Sequence, residues 1–126
     1  MQAIILNKIG GVSNFKIQNI ADPVPSKNEV LVKNNYIGIN FFDICFRKGQ
    51  YKLSQTPAIL GLEACGYIEK IGSEVLDFKV GDRVAYATSG FGAYAEKKVV
   101  NPQYLVKVPN VLSDAQVAGC LFKGIG

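Results

Sequence analysis

GLEACGYIEKIG, from Gly61 through Leu62, Glu63, Ala64, Cys65, Gly66, Tyr67, Ile68, Glu69, Lys70 and Ile71 to Gly72, sets the architecture of this chain. Its glycines stand in a Gly-x-Glu-x-x-Gly-x-x-x-x-x-Gly skeleton. The run ACGYIEKIG is short, rich in apolar residues and stopped by Gly72, which predicts a strand ending in a turn. Further short runs of the same kind follow: DRVAYA, GAYAEKKVV and YLVKVP, with Gly81, Gly90 and Gly92 among the breaks. Several short strands separated by glycine corners predict a small, partly open barrel.

The N-terminal side carries the same signals. QAIILNKIGG reads as a strand closed by Gly10 and Gly11. FKIQNIADPVP reads as a second, leaving through the extended Asp22-Pro23-Val24-Pro25 segment. NEVLVKNNYIGIN is a long strand whose apolar phase switches near Asn34 and Asn35, which predicts a bulge. The period then changes. Asn40 to Gly49 predicts a short helix, with Asn40 as N-cap and Asp43 as its capping-box partner. Gly49 supplies the C-terminal stop, and Arg47 and Lys48 suit the last turn. Ser113 is a helix N-cap for DAQVAGCLFKGIG, with Gln116 at the third helical position. The segment stops at Gly126 as though cut rather than finished.

Composition narrows the function classes. The chain has 126 residues, 48% hydrophobic and 19% charged, enough for one domain with its own core. Its formal charge is +4, but the basic residues are scattered, so no nucleic-acid-binding block is present. The three cysteines, Cys45, Cys65 and Cys120, form no Cys-x-x-Cys pair and are expected to pack as small hydrophobes. A reducing cytoplasm is the simplest compartment. The chain opens on a strand-like run, so neither a signal peptide nor a membrane span is expected.

Chemistry narrows it further. A catalytic zinc needs three ligands from His, Cys and carboxylates, and the chain holds 0 histidines. A nucleophile would lack its usual base for the same reason. No Gly-x-x-x-x-Gly-Lys-Ser/Thr motif and no Gly-x-Gly-x-x-Gly between strand and helix is present, so the chain alone carries no recognisable dinucleotide site.

Four blocks standing in order carry a resemblance: IGINFFDICFRKGQY (37–51), LGLEACGYIEKIG (60–72), VGDRVAYA (80–87) and LFKGIG (121–126). Together they resemble the N-terminal half of the quinone oxidoreductases, the ζ-crystallin-like, zinc-free branch of the medium-chain dehydrogenase/reductase superfamily. In zinc enzymes of that superfamily, the segment matching Gly38-Ile39-Asn40 carries a cysteine ligand. The segment matching Gly61-Leu62-Glu63 carries a histidine ligand. Asn40 and Leu62 replace both, and the four-cysteine structural zinc loop is missing. The resemblance therefore implies no metal, with Glu63 as a scaffold residue.

The resemblance implies a mainly β fold with short helices, a GroES-like catalytic domain over residues 1–112. Residues 113–126 would begin the helix leading into a Rossmann domain absent from this chain. NADPH would be bound mainly by that domain, and the complete protein would be a cytoplasmic homodimer that reduces a quinone. Asn40 and Tyr51 are the expected catalytic residues, as uncharged donors to the acceptor's oxygen. Asn40, Phe41, Phe42, Asp43 and Lys123 are the expected cofactor neighbours; capping for Asp43, and core packing for Phe41 and Phe42, are the competing roles. Two other functions stay open: reduction of enoyl thioesters or other activated alkenes, and a non-catalytic GroES-like binding module.

Overall fold

A computed structural model describes residues 1–49, 56–87, 89–109 and 111–113, apart from the side chains of Phe41 and Phe42. Strands β1 (Gln2–Leu6) and β2 (Phe15–Asn19) form an antiparallel pair, with Leu6 opposite Phe15. The other strands are β3 (Val30–Gly38), β4 (Glu63–Ile71), β5 (Arg83–Tyr86), β6 (Lys97–Val100) and β7 (Leu105–Lys107). They build one antiparallel sheet in the order β6-β3-β4-β5-β7. The pair β1–β2 reaches this body through single bridges, Ala3 to Ala95 and Leu6 to Ala58. The result is mainly β with unclosed sheets, as the spacing of the short strands predicts.

The core lies on one face of the larger sheet. Val30, Val32, Ala64, Ile68, Val84 and Tyr86 are all buried in a single cluster, with Val75 and Phe78 packed against it. Cys65, Ala85 and Val108 form a small cluster of their own. Ala64 and Cys65 fall into different clusters because successive strand residues point to opposite faces. Cys45 and Cys65 are both buried and joined in no disulfide, as expected of small hydrophobes. Gly66 stands opposite Asn34 in the β3–β4 register, and a Cβ there would overlap the Lys33 carbonyl oxygen. The middle glycine of the skeleton is thus a packing requirement.

The bulge near Asn34 and Asn35 is present: the register of β3 against β4 shifts between Asn34 and Tyr36. It serves a purpose that local pattern does not disclose. Asn34 Nδ2 donates to the carbonyls of Ala93 (3.3 Å) and Ala95 (2.9 Å), and Tyr86 Oη donates to Asn34 Oδ1 at 2.9 Å. One side chain therefore ties the 93–96 segment to β3 and satisfies a buried phenol.

Other features depart from the sequence reading. Only Lys97–Val100 of the expected GAYAEKKVV strand forms one. The residues before it turn toward β1 and the 60–61 corner, where Tyr94 O accepts from Ile4 N and Tyr94 N donates to Leu60 O. Two 3-10 turns, Val12–Asn14 and Pro102–Tyr104, add to the elements that the sequence pattern predicts. The helix expected after Ser113 lies outside the described residues. No helix among the described residues is long and apolar enough to cross a membrane.

Candidate functional site

The helix α1 (Phe41–Lys48) follows β3 directly and places its N-terminus against the start of β4. Asn40 takes the extended N-cap conformation, and Gly49 closes the helix in the left-handed region. Asn40 and Asp43 form the expected capping box, with Asp43 Oδ2 accepting from the Asn40 backbone N–H at 3.0 Å. Further along the helix, Phe46 meets Phe91 edge-on at 4.7 Å between ring centroids.

Asp43 does far more than cap. Its Oδ2 also accepts from the Tyr94 hydroxyl at 2.8 Å, and its Oδ1 accepts from Gly61 N at 3.2 Å. Asn40 in turn donates from Nδ2 to Glu63 Oε1 at 3.1 Å. Asn40, Asp43 and Glu63 are 5%, 3% and 2% exposed, so these hydrogen bonds meet groups that water cannot serve. The Tyr94 phenol is pushed up from its ordinary 10.0, first by burial and then by its hydrogen bond to Asp43. It is an uncharged donor at neutral pH.

An apolar groove of about 620 Å³ runs beside this cluster, lined by Ile4, Val12, Phe15, Ile17, Ile37, Ile39, Ile44, Asp43 and Tyr94, with Lys16 and Arg47 also contributing. Ile39 and Asn40 are neighbours in sequence, yet one is 73% exposed and the other is buried. A polar, fixed cluster thus borders an open apolar surface. That arrangement suits an organic acceptor that needs one or two neutral donors.

Of the residues expected from sequence, Asn40 and Asp43 are brought together. Tyr51 and Lys123 lie outside the described residues, and so do the side chains of Phe41 and Phe42. Glu63 is buried, as a scaffold residue should be, and Asn40's amide is one of its partners. Sequence reasoning missed Tyr94, because it sits in what reads as an ordinary strand. The one available signal was Gly61. A side chain there would meet the Tyr94 ring at 2.5 Å, so glycine marks where that ring presses on the corner. Among the described residues, no group of His, Cys, Asp and Glu stands together as a metal-binding set.

A mainly β body with open sheets, carrying a capped helix at the end of its long strand, is the frame of a GroES-like domain. The pattern of the alcohol dehydrogenase GroES-like domain family matches residues 26–110, and the chain belongs to that family. A quinone oxidoreductase of Pseudomonas aeruginosa is 41% identical over 116 residues, which are 92% of this chain and 36% of that protein. A 2-haloacrylate reductase of a Burkholderia species is 32% identical over 130 residues, 99% of this chain and 39% of that protein. The crystal structure of Escherichia coli quinone oxidoreductase complexed with NADPH superposes with a TM-score of 0.96 at 36% identity. That superposition covers 99% of this chain and 38% of the other. The chain therefore spans little more than a third of the length of these relatives.

Proposed function

We propose that this chain is the substrate-side part of an NADPH-dependent quinone reductase that works without a metal. The observation that carries the reading is Asn40: a neutral amide, buried and held from two sides, next in sequence to Ile39 and bonded to Asp43, which both line an apolar groove. The names of its relatives, quinone oxidoreductases above all, support it. Residues 1–112 are the GroES-like catalytic domain, and 113–126 open the helix that leads to the nucleotide-binding domain. The complete protein is a cytoplasmic homodimer.

The donor set here fits the nicotinamide end of the cofactor, where uncharged amides and phenols are wanted. It does not fit the phosphates, since the sequence has no glycine-rich phosphate loop. Asn40, Phe41, Phe42, Asp43 and Lys123 are the neighbours of that end. When bound, NADPH would supply the hydride, with NADP+ as its oxidised product. The quinone accepts the hydride and one proton from solvent and becomes the hydroquinone. During transfer, negative charge develops on a quinone oxygen. Asn40 and Tyr51 steady it by donating hydrogen bonds, and neither must lose or gain a charge to do so. No zinc is needed, because Leu62 and Asn40 stand where the zinc enzymes keep two ligands.

The same donors would serve an activated alkene, whose conjugated carbonyl oxygen gathers charge as a hydride adds to the distant carbon. The 2-haloacrylate reductase relative favours that second reading. A panel separates the two: the complete gene product is assayed with NADPH against benzoquinone, naphthoquinone and 2-chloroacrylate. Quinone turnover with little reduction of the alkene is expected, together with no turnover by this 126-residue chain alone. Vigorous activity from the short chain, or reduction of chloroacrylate only, would sink the proposal.

A further inference from the structure

We infer that Glu63 is a positioning residue: by accepting from Asn40 Nδ2 it locks the Asn40 side-chain amide in the orientation that the capping box also favours. The inference rests on Asn40 serving as a donor to the acceptor's oxygen, as proposed above.

A carboxylate buried at the first residue of β4 is expensive, and for stability alone an apolar side chain of similar size would serve as well. The carboxylate's presence calls for a reason that packing does not supply, and one of its partners, Asn40, offers one. An asparagine amide has two ends of nearly the same shape, a carbonyl oxygen and an NH₂ group, and a half-turn about its last torsion exchanges them. A neutral partner such as glutamine accepts at one atom and donates at another, so it tolerates both orientations. A carboxylate can only accept. Facing Glu63 Oε1 at 3.1 Å, Asn40 must present its NH₂ group and no other.

The geometry of the two elements supports the pairing. Glu63 stands opposite Gly38 in the β3–β4 register, two residues before Asn40. The helix supplies further anchors: the Asn40 backbone N–H donates to Asp43 Oδ2, and in the capping box the Asn40 side chain accepts from the Asp43 backbone N–H. Separate carboxylates thus hold the backbone N–H and the side-chain NH₂, the helix N-terminus holds the side-chain oxygen, and the side-chain nitrogen keeps a second N–H. With the amide reversed, its oxygen would be offered in place of that N–H, and it would repel an electron-rich acceptor.

The test uses the complete gene product with NADPH and naphthoquinone. Glu63→Gln preserves size and can still accept. It is expected to lower kcat by about 10- to 100-fold, the loss that follows from misorienting a catalytic group. KM for NADPH and the thermal midpoint should stay close to those of the wild type. Unchanged kcat in Glu63→Gln overturns the inference, as does a loss of kcat fully matched by loss of folded protein. The double variant Asn40→Asp/Glu63→Gln reverses the polarity of the bond, since the glutamine amide then donates to the new carboxylate at position 40. It should fold while kcat stays low, because no side-chain N–H remains at position 40. Recovery of kcat in the double variant also overturns the inference. If the wild type reduces neither quinone nor alkene, the functional reading fails instead. The orientation is then judged by NMR: protected, shifted side-chain NH₂ signals of Asn40 in the wild type that lose protection in Glu63→Gln support it, and unprotected signals in the wild type refute it.

Discussion

Asp43 accepts hydrogen bonds from Asn40 N–H, Gly61 N–H and the Tyr94 hydroxyl, three donors from different parts of the chain. Asparagine at position 43 would keep the shape but turn one accepting oxygen into an NH₂ group aimed at a donor. At least one buried donor is then left unpaired, at a cost of roughly 1–3 kcal/mol. Urea unfolding of Asp43→Asn should show that loss as a lower midpoint with an unchanged slope. Tyr94→Phe removes one neutral hydroxyl from a half-buried site and should cost less, about 1 kcal/mol. If Tyr94→Phe costs as much as Asp43→Asn, the phenol and not the carboxylate organises the cluster. The Asn40–Asp43 half of this cluster was legible in the sequence, because capping chemistry acts over three residues. Tyr94 was not: it stands 51 residues from Asp43, and nothing in its own neighbourhood announces the contact.

The pairing of β3 with β4 carries the next level of organisation. An added Cβ at Gly66 would overlap the Lys33 carbonyl and come within 3.1 Å of Asn34 Cα, so the obstacle is backbone on the facing strand. Backbone cannot move aside as a flexible side chain can. Gly66→Ala should therefore cost ~3 kcal/mol or more and lower the thermal midpoint sharply, while a substitution at exposed Leu76 should change it little. A midpoint for Gly66→Ala close to the wild type would mean that the strands can separate there without penalty. Strand positions themselves were readable, because β-branched and apolar runs between glycine corners leave few alternatives. The bulge was readable as a switch of apolar phase. Lost was the first half of the expected GAYAEKKVV strand, whose partners are β1 and Leu60 rather than a continuous neighbour. Pairing of that kind is settled by the closure of the whole body, and a local pattern does not encode it.

Across the whole molecule, the pH response is set by a few groups that folding treats unlike their neighbours. Lys98 is 8% exposed; its ammonium donates to Ser89 Oγ and the Gly90 carbonyl, both at 2.7 Å, and sits 5.0 Å from the Tyr86 ring centroid. Burial pushes it down from 10.5 to about 8. Between about 8 and 10.5 the folded chain releases a proton that the unfolded chain keeps, so stability rises with pH across that window. Tyr86 and Tyr94 act in the opposite sense, since burial raises both above 10.0. Above that value the unfolded chain loses protons that the folded chain holds, and stability falls again. At the acid end, hydrogen bonds from Lys97 and the N-terminal amine hold Asp22 down at about 2. Its contribution is present above 3.8 and fades as pH falls toward about 2. Lys98 can be isolated from the rest by comparing thermal midpoints of the wild type and Lys98→Met between pH 7 and pH 10. The gap between them should change in the wild type's favour on going alkaline, by on the order of 3 °C or more for a domain of this size. Equal slopes in the two proteins would mean that the Lys98 amine, despite its burial, keeps its proton as firmly in the folded chain as in the unfolded one. In that case the aromatic face and the two oxygens around it compensate for the water it has lost.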